Sequence, residues 1–259
     1  MKLIKQLHKG ESTIELVKVG DKELILRTAE LEDIFNEKEF IKELQRNDII
    51  TLELFSDKSL KDNQLLLEYI NKSPVIADSL TDENIYKWGA LVKRIHQIKY
   101  NKVFKISSLD EKEYCSWNNF IKERLDIAKL KIDKNKFDLS QSEIDVVKEK
   151  LFNFKITEPS DISLLHCDLN RYNVLLKNNE LIIFDKGSQI FCGDYLFDLA
   201  SVRIALTDSQ FEAFIKGYGE EFVRSNSELF EFYYLLRTIM RFPNPRKDLI
   251  KDVIKNLSM

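Results

Sequence analysis

Residues Leu164–Leu176 and Leu181–Asp185 constrain this chain more than any other stretch. Two short apolar arms of matched length flank the turn at Lys177, Asn178 and Asn179, and that pattern reads as a hairpin. Such a hairpin returns Asp185 next to Asn173, while Asp168 lies just outside the first arm. Each polar residue alone is equally a turn residue, Asp168 as the closer of an Asx-turn for instance. Together they form a set suited to polyphosphate. One acid can orient and deprotonate a hydroxyl, while the carboxamide and the second acid hold Mg²⁺ against the phosphates.

The flanking residues are expected to support that loop. His166 reads as a structural histidine that braces it, and Cys167 as a small packed residue. Asp194 fits a helix N-cap after Gly193. Asp198, between Phe197 and Leu199, reads as a buried acid bonding backbone amides or the catalytic loop.

The first seventy residues differ from the rest. Residues 14–19 and 23–27 are short, apolar and partly alternating, with Gly20 and Asp21 between them as a hairpin turn. Residues 36–46 carry Phe40, Ile41 and Leu44 at helical spacing, and strand-like segments follow at 49–55 and 64–69. The expected order is strand, strand, strand, helix, strand, strand. Arg27 ends an apolar strand and Glu39 lies on the following helix, so the two are candidates for a cation–glutamate pair at the α- and β-phosphates. Gly10 to Ser12 is a candidate phosphate-covering turn.

Helical periods dominate from about Ser79, over 82–97, 195–206, 209–223, 227–241 and 247–257. Capping boxes are expected at Ser108–Glu111 and Ser140–Glu143. A small sheet lobe (1–70) and a larger helical lobe (71–259) follow, with Leu66–Ile70 as the hinge.

A formal charge of −3 gives no global basic field, which argues against a nucleic-acid partner. No apolar run is long enough to span a bilayer. Three widely spaced cysteines fit a reducing cytoplasm, and three histidines without ligand-like spacing argue against a zinc module. Neither a P-loop nor a dinucleotide fingerprint is present.

His166-Cys167-Asp168 through Asn173, then Ile183-Phe184-Asp185, then Gly193-Asp194 through Asp198, taken as an ordered set, resemble the aminoglycoside phosphotransferase and choline kinase group. That resemblance implies an α+β, bilobal protein-kinase-like fold and Mg²⁺-dependent transfer of phosphate from ATP or GTP to a small-molecule hydroxyl. It implies Asp168 as the catalytic residue, Asn173 and Asp185 as metal ligands, and Arg27 at the usual lysine position with Glu39 as its partner. Ser12, Glu68 and Ile70 would complete the nucleotide site, the last two from the segment that binds adenine. The chain departs from the group's pattern at Arg27, at Cys167 where glycine is common, and at Lys186 where an aromatic is frequent. Lys186 is expected to place an extra cation near the phosphates or the acceptor. An aminoglycoside-type antibiotic is the leading acceptor class; Asp208, Glu212, Glu220, Glu221, Glu228 and Glu231 are candidates for an acidic wall that would suit it, and each reads at least as well as part of a solvated helix face. A sugar, an amino alcohol or another antibiotic is an alternative, as is an inactive nucleotide-binding regulatory protein.

Overall fold

The computed structural model describes residues 1–71, 81–108, 111–134, 137, 139–187, 190–221, 227–240 and 250–251. The small lobe contains β1 (Lys2–Lys9), β2 (Thr13–Val19), β3 (Lys22–Thr28), α1 (Leu31–Arg46), β4 (Leu54–Phe55) and β5 (Gln64–Glu68). Its strands form one five-stranded antiparallel sheet in the order β1-β2-β3-β5-β4. The β2–β3 turn requires left-handed backbone, which Gly20 supplies at φ 59°.

Period-two alternation gives this sheet two apolar faces. Leu24 and Leu26 pack with Val17 and Leu66 on one. Leu65 and Leu67 pack on the other against Ile34 and Ile41 of α1, and Leu175 and Ile182 from the large lobe join them. The sheet therefore rests directly on the central hairpin. Of the strand expected over 49–55, only Leu54–Phe55 pairs with β5. The strand expected over 64–69 is realised as β5.

The large lobe contains α2 (Asp82–His96), β6 (Lys99–Tyr100), β7 (Phe104–Ser108), β8 (Glu111–Tyr114), α3 (Trp117–Asp133) and α4 (Gln141–Phe152). It continues with β9 (Ile162–Leu164), β10 (Val174–Lys177), β11 (Glu180–Ile183), β12 (Cys192–Gly193), α5 (Leu196–Ala205), α6 (Asp208–Tyr218) and α7 (Ser227–Met240). Trp88, Trp117, Phe197 and Tyr233 are buried at its centre. Helices α2 and α6 approach closely through glycines. A Cβ on Gly89 would lie 2.1 Å from the Phe214 carbonyl oxygen, and one on Gly217 would lie 2.0 Å from that of Tyr86.

The central hairpin forms as expected, with Val174 opposite Ile183 and Lys177 opposite Glu180. Asn178 and Asn179 take positive φ of 50° and 66°, the backbone of a type I′ turn. Ser140 and Glu143 form a reciprocal capping box. Ser108 and Glu111 do not; they face each other across the β7–β8 pair. The buried residues Phe104 and Ile106 alternate there with half-exposed Lys105, a strand period that overrides the local cap signature. The helix starts later, where Ser116 accepts from the Asn119 amide at 3.3 Å.

The bilobal α+β architecture is thus the expected one. The helix expected over 247–257 lies almost entirely outside the described residues, as do Pro243 and Pro245. Among the described residues no helix is long and apolar enough to cross a membrane, and the three cysteines are free thiols.

Candidate active site

The loop between β9 and β10 is pinned from beneath. Asp198, fully buried on α5, accepts from the amides of His166 at 2.6 Å and Cys167 at 2.7 Å, and from the His96 ring at 3.3 Å. Burial alone would push its carboxyl up. The His96 ring and the amides outweigh that and hold it below the usual carboxylate range. The His166 Nε2–H donates to the Phe184 carbonyl at 2.9 Å, so its Nδ1 accepts from the Asp168 amide at 3.2 Å. Burial lowers its pKa, and the ring serves as a neutral strut between loop and hairpin. From α7, Arg237 donates to the Cys167 carbonyl at 2.7 Å and to Ser201 Oγ at 2.9 Å.

Cys167 takes φ 68°, left-handed backbone in which an L side chain costs on the order of 1 kcal/mol. The conformation accounts for the frequency of glycine at this position in the resembling group. Burial pushes the thiol up to about 11, so it is inert packing.

Asp168 and Asn173 meet directly. Asp168 Oδ2 accepts from Asn173 Nδ2 at 2.9 Å and from Asn170 Nδ2 at 3.1 Å. Asn173 Oδ1 has no donor among the described residues. The Phe184 amide donates to the Asn173 carbonyl at 3.2 Å, which places Asp185 alongside. Asp185 also has left-handed backbone, at φ 59°. Its side chain is 42% exposed and its Oδ1 lies 2.7 Å from Arg27 Nη1.

Arg27 is paired with Glu37, not Glu39. The buried Glu37 also accepts from the Asp185 amide at 3.3 Å, joining sheet, helix and hairpin. Glu39 instead bonds Lys42 and Arg46 on another face of α1. The sequence carried a signal for this: Glu37 interrupts the apolar stripe of Ile34, Ile41 and Leu44, whereas Glu39 lies off it. Burial opposes the charge on Arg27, but Glu37 and Asp185 more than offset it and raise its pKa.

Lys186 does not present its ammonium to a ligand. It is 2% exposed, and Nζ donates to the carbonyls of Gly187 and Ile190, both at 2.8 Å. Asp194, also buried, accepts from the Leu196 amide at 3.0 Å and the Tyr233 hydroxyl at 3.1 Å. Burial raises its carboxyl to about 6.

Two adjoining cavities open between the lobes. The larger, about 550 Å³, is lined by Ser12, Arg27, Asp168, Asp185 and Arg237, among others. The smaller, about 270 Å³, is mainly apolar, with Ile25, Leu67, Leu175 and Phe184, and is bordered by Glu68 and Ile70. Arg27 and Asp185 border both. The Glu68 carboxylate is held by Lys177 at 2.7 Å and the Glu53 amide at 3.2 Å, so its side chain ties β5 to the central hairpin. None of the acids expected to form a wall lines either cavity; Asp208, for one, pairs with Arg203.

A mainly apolar slot thus leads past Arg27 into a polar chamber lined by four acids, Glu11, Asp33, Asp168 and Asp185. Among the described residues no cluster of three or more His, Cys, Asp or Glu could bind a metal. Asn173 Oδ1 and the Asp185 carboxylate are hard oxygen donors. Such a sparse pair suits Mg²⁺, which takes one or two protein ligands and completes its shell with phosphate and water.

Solved structures share this fold. The aminoglycoside phosphotransferase APH(4)-Ia aligns over 97% of this chain and 92% of its own, at 14% identity and TM-score 0.69. A putative fructosamine-3-kinase from Thermobifida fusca aligns over 99% and 94%, at 15% and 0.67. The amicoumacin kinase hAmiN aligns over 97% and 88%, at 14% and 0.63. No curated protein matches by sequence. The family model described as the phosphotransferase enzyme family, APH, matches residues 4–230. A match over that span, on a bilobal frame, shows that the chain belongs to the phosphotransferase enzyme family.

Proposed function

We propose that the protein is a small-molecule O-phosphotransferase that moves the terminal phosphate of ATP or GTP to a hydroxyl. One observation carries this reading: Asp168 has one carboxylate oxygen fixed by Asn170 and Asn173 and shares a chamber with Asp185 and Arg27. The base would lie in the apolar slot beside Glu68 and Ile70, and Arg27 would face the phosphates. Ser12, on the β1–β2 turn, would cover them.

In the reaction, the acceptor oxygen bonds to the γ-phosphorus as the bond from that phosphorus to the β–γ bridging oxygen breaks. The nucleoside diphosphate leaves with the electron pair, and the hydroxyl proton passes to Asp168. Asp168 contributes mainly alignment, because its rotation is already restrained. Asn173 and Asp185 would hold Mg²⁺, which when bound neutralises the charge of the transferring phosphate. Asp198, His166 and Asp194 support this arrangement without touching substrate.

The aminoglycoside class draws its support from the likeness to APH(4)-Ia and not from the cavity, whose lining lacks the expected acids. Nucleoside diphosphate release over a panel of hydroxyl compounds, with and without Mg²⁺, tests the reading. Mg²⁺-dependent turnover that is lost in Asp168→Asn while nucleotide still binds is the expected result. Nucleotide binding with no turnover on any acceptor would favour the regulatory alternative. Undiminished turnover in Asp168→Asn would remove Asp168 from the chemistry.

A further inference from the structure

Beyond Asp168, the large-lobe side of the chamber is built from α7, through Arg237 and Met240. Arg237 is 8% exposed, and its Nε and Nη2 are committed to Ser201 and Cys167. Its Nη1 has no partner among the described residues, and no carboxylate pairs with the guanidinium there. A second guanidinium lies nearby. Arg124, on α3, stacks 4.9 Å from the Phe120 ring centroid, while Arg237 stacks 4.6 Å from that of Phe197. Those two rings touch edge to face at 5.5 Å.

Arg124 is itself poorly compensated. Its Nε is buried without a partner, and its ion partner is Glu123 at 3.6 Å, a side chain 57% exposed. Burial lowers the Arg124 pKa, and the positive charge of Arg237 adds to the effect. Arg124 and Arg237 are partly buried like charges whose one ion partner among the described residues is the exposed Glu123, an arrangement that is costly in the absence of an anion. Guanidinium forks match the geometry of carboxylate and phosphate oxygens.

We infer that the acceptor carries an anionic group, a carboxylate or phosphate ester, held by Arg237 and Arg124 while its hydroxyl faces Asp168. This rests on the proposed phosphotransfer and narrows its acceptor. A polycationic acceptor would meet these guanidiniums with repulsion at the same place.

Calorimetric titration of the full chain saturated with Mg²⁺ and ADP tests the inference without turnover. Two matched sets serve as ligands: gluconate, glucose 6-phosphate, glucose and glucosamine; and glycerate, glycerol 3-phosphate, glycerol and serinol. In the better-binding set, an anionic member should bind at least about tenfold tighter than its neutral and cationic counterparts, the worth of one charge-assisted contact. Carboxylate and phosphate members distinguish the two anions. Arg124→Gln should reduce that preference to within about twofold while Mg–ADP still binds. Equal or tighter binding of a neutral or cationic member, no binding by any member, or an unchanged preference in Arg124→Gln would overturn the inference. Failure of the wild-type chain to bind Mg–ADP is a separate result, and would instead undo the proposed nucleotide-dependent reaction.

Discussion

The loop carrying Asp168 and the small-lobe wall carrying Arg27 face the same chamber but are held in different ways. Beneath the loop, Asp198, His166, His96 and Arg237 make buried hydrogen bonds drawn from α2, α5 and α7. Across the chamber, β1 is exposed along its whole length, and Leu7 and His8 reach the cavities from an edge strand. The main polar tie on that side is Arg27 with Glu37 and Asp185. On the proposed function, the difference follows where alignment is demanded. A proton acceptor must be fixed to fractions of an ångström, whereas a phosphate cover has to admit and release its ligand.

The strongest way to break this contrast is to remove the floor. Asp198→Ala strands the buried amides of His166 and Cys167 together with His96, so a loss of about 3–5 kcal/mol is expected in denaturant unfolding. A loss below about 1 kcal/mol would show that the loop does not depend on this acid. On the proposed function, Asp168→Asn should lower kcat by roughly 10²–10⁴-fold with little change in nucleotide affinity, read from steady-state rates and direct binding.

Asp194 offers a pH-dependent probe of the same floor. Its carboxyl is raised to about 6, so the folded chain retains a proton that the unfolded chain releases near pH 4. The contribution of Asp194 to stability therefore declines as pH rises from about 4 to 6, by about 3 kcal/mol at most. Subtracting the profile of Asp194→Asn from that of wild type should expose the decline; parallel profiles would refute it.

The smallest effects sharpen the small-lobe side. Glu37→Ala should cost about 1.5–3 kcal/mol and weaken Mg–nucleotide binding, because Arg27 loses its buried partner. Glu39→Ala should cost less than about 1 kcal/mol and leave that binding alone. Equal effects from the two would dissolve the distinction between them.

How far each part was legible follows from the range of the forces involved. The meeting of Asp168, Asn173 and Asp185 could be read because a two-residue turn between equal arms fixes register locally. Glu37 was misread as Glu39 because α1 begins at Leu31, five residues before the expected start, and the face of a helix is set by its whole stripe. Ser108 and Glu111 matched a cap motif, yet side-chain alternation across β7 decided the outcome. Arg124 and Arg237 were out of reach for another reason. They lie on helices far from the loop in sequence, and only packing shows that a lone cation among the apolar residues of α7 donates to the Cys167 carbonyl.

The ion pair between Arg27 and Asp185 bears on the order in which ligands load. Asp185 shares Arg27 with Glu37, so turning to a divalent cation costs Asp185 that ion pair, and a triphosphate arriving at Arg27 offsets the loss. Magnesium offered alone should therefore bind weakly, and nucleotide alone should find Arg27 still engaged. On the proposed function, the triphosphate and its metal would enter as one complex, each releasing the group that the other needs. Calorimetry with Mg²⁺, with ATP and with both together would show this as synergy, and additive affinities would rule it out.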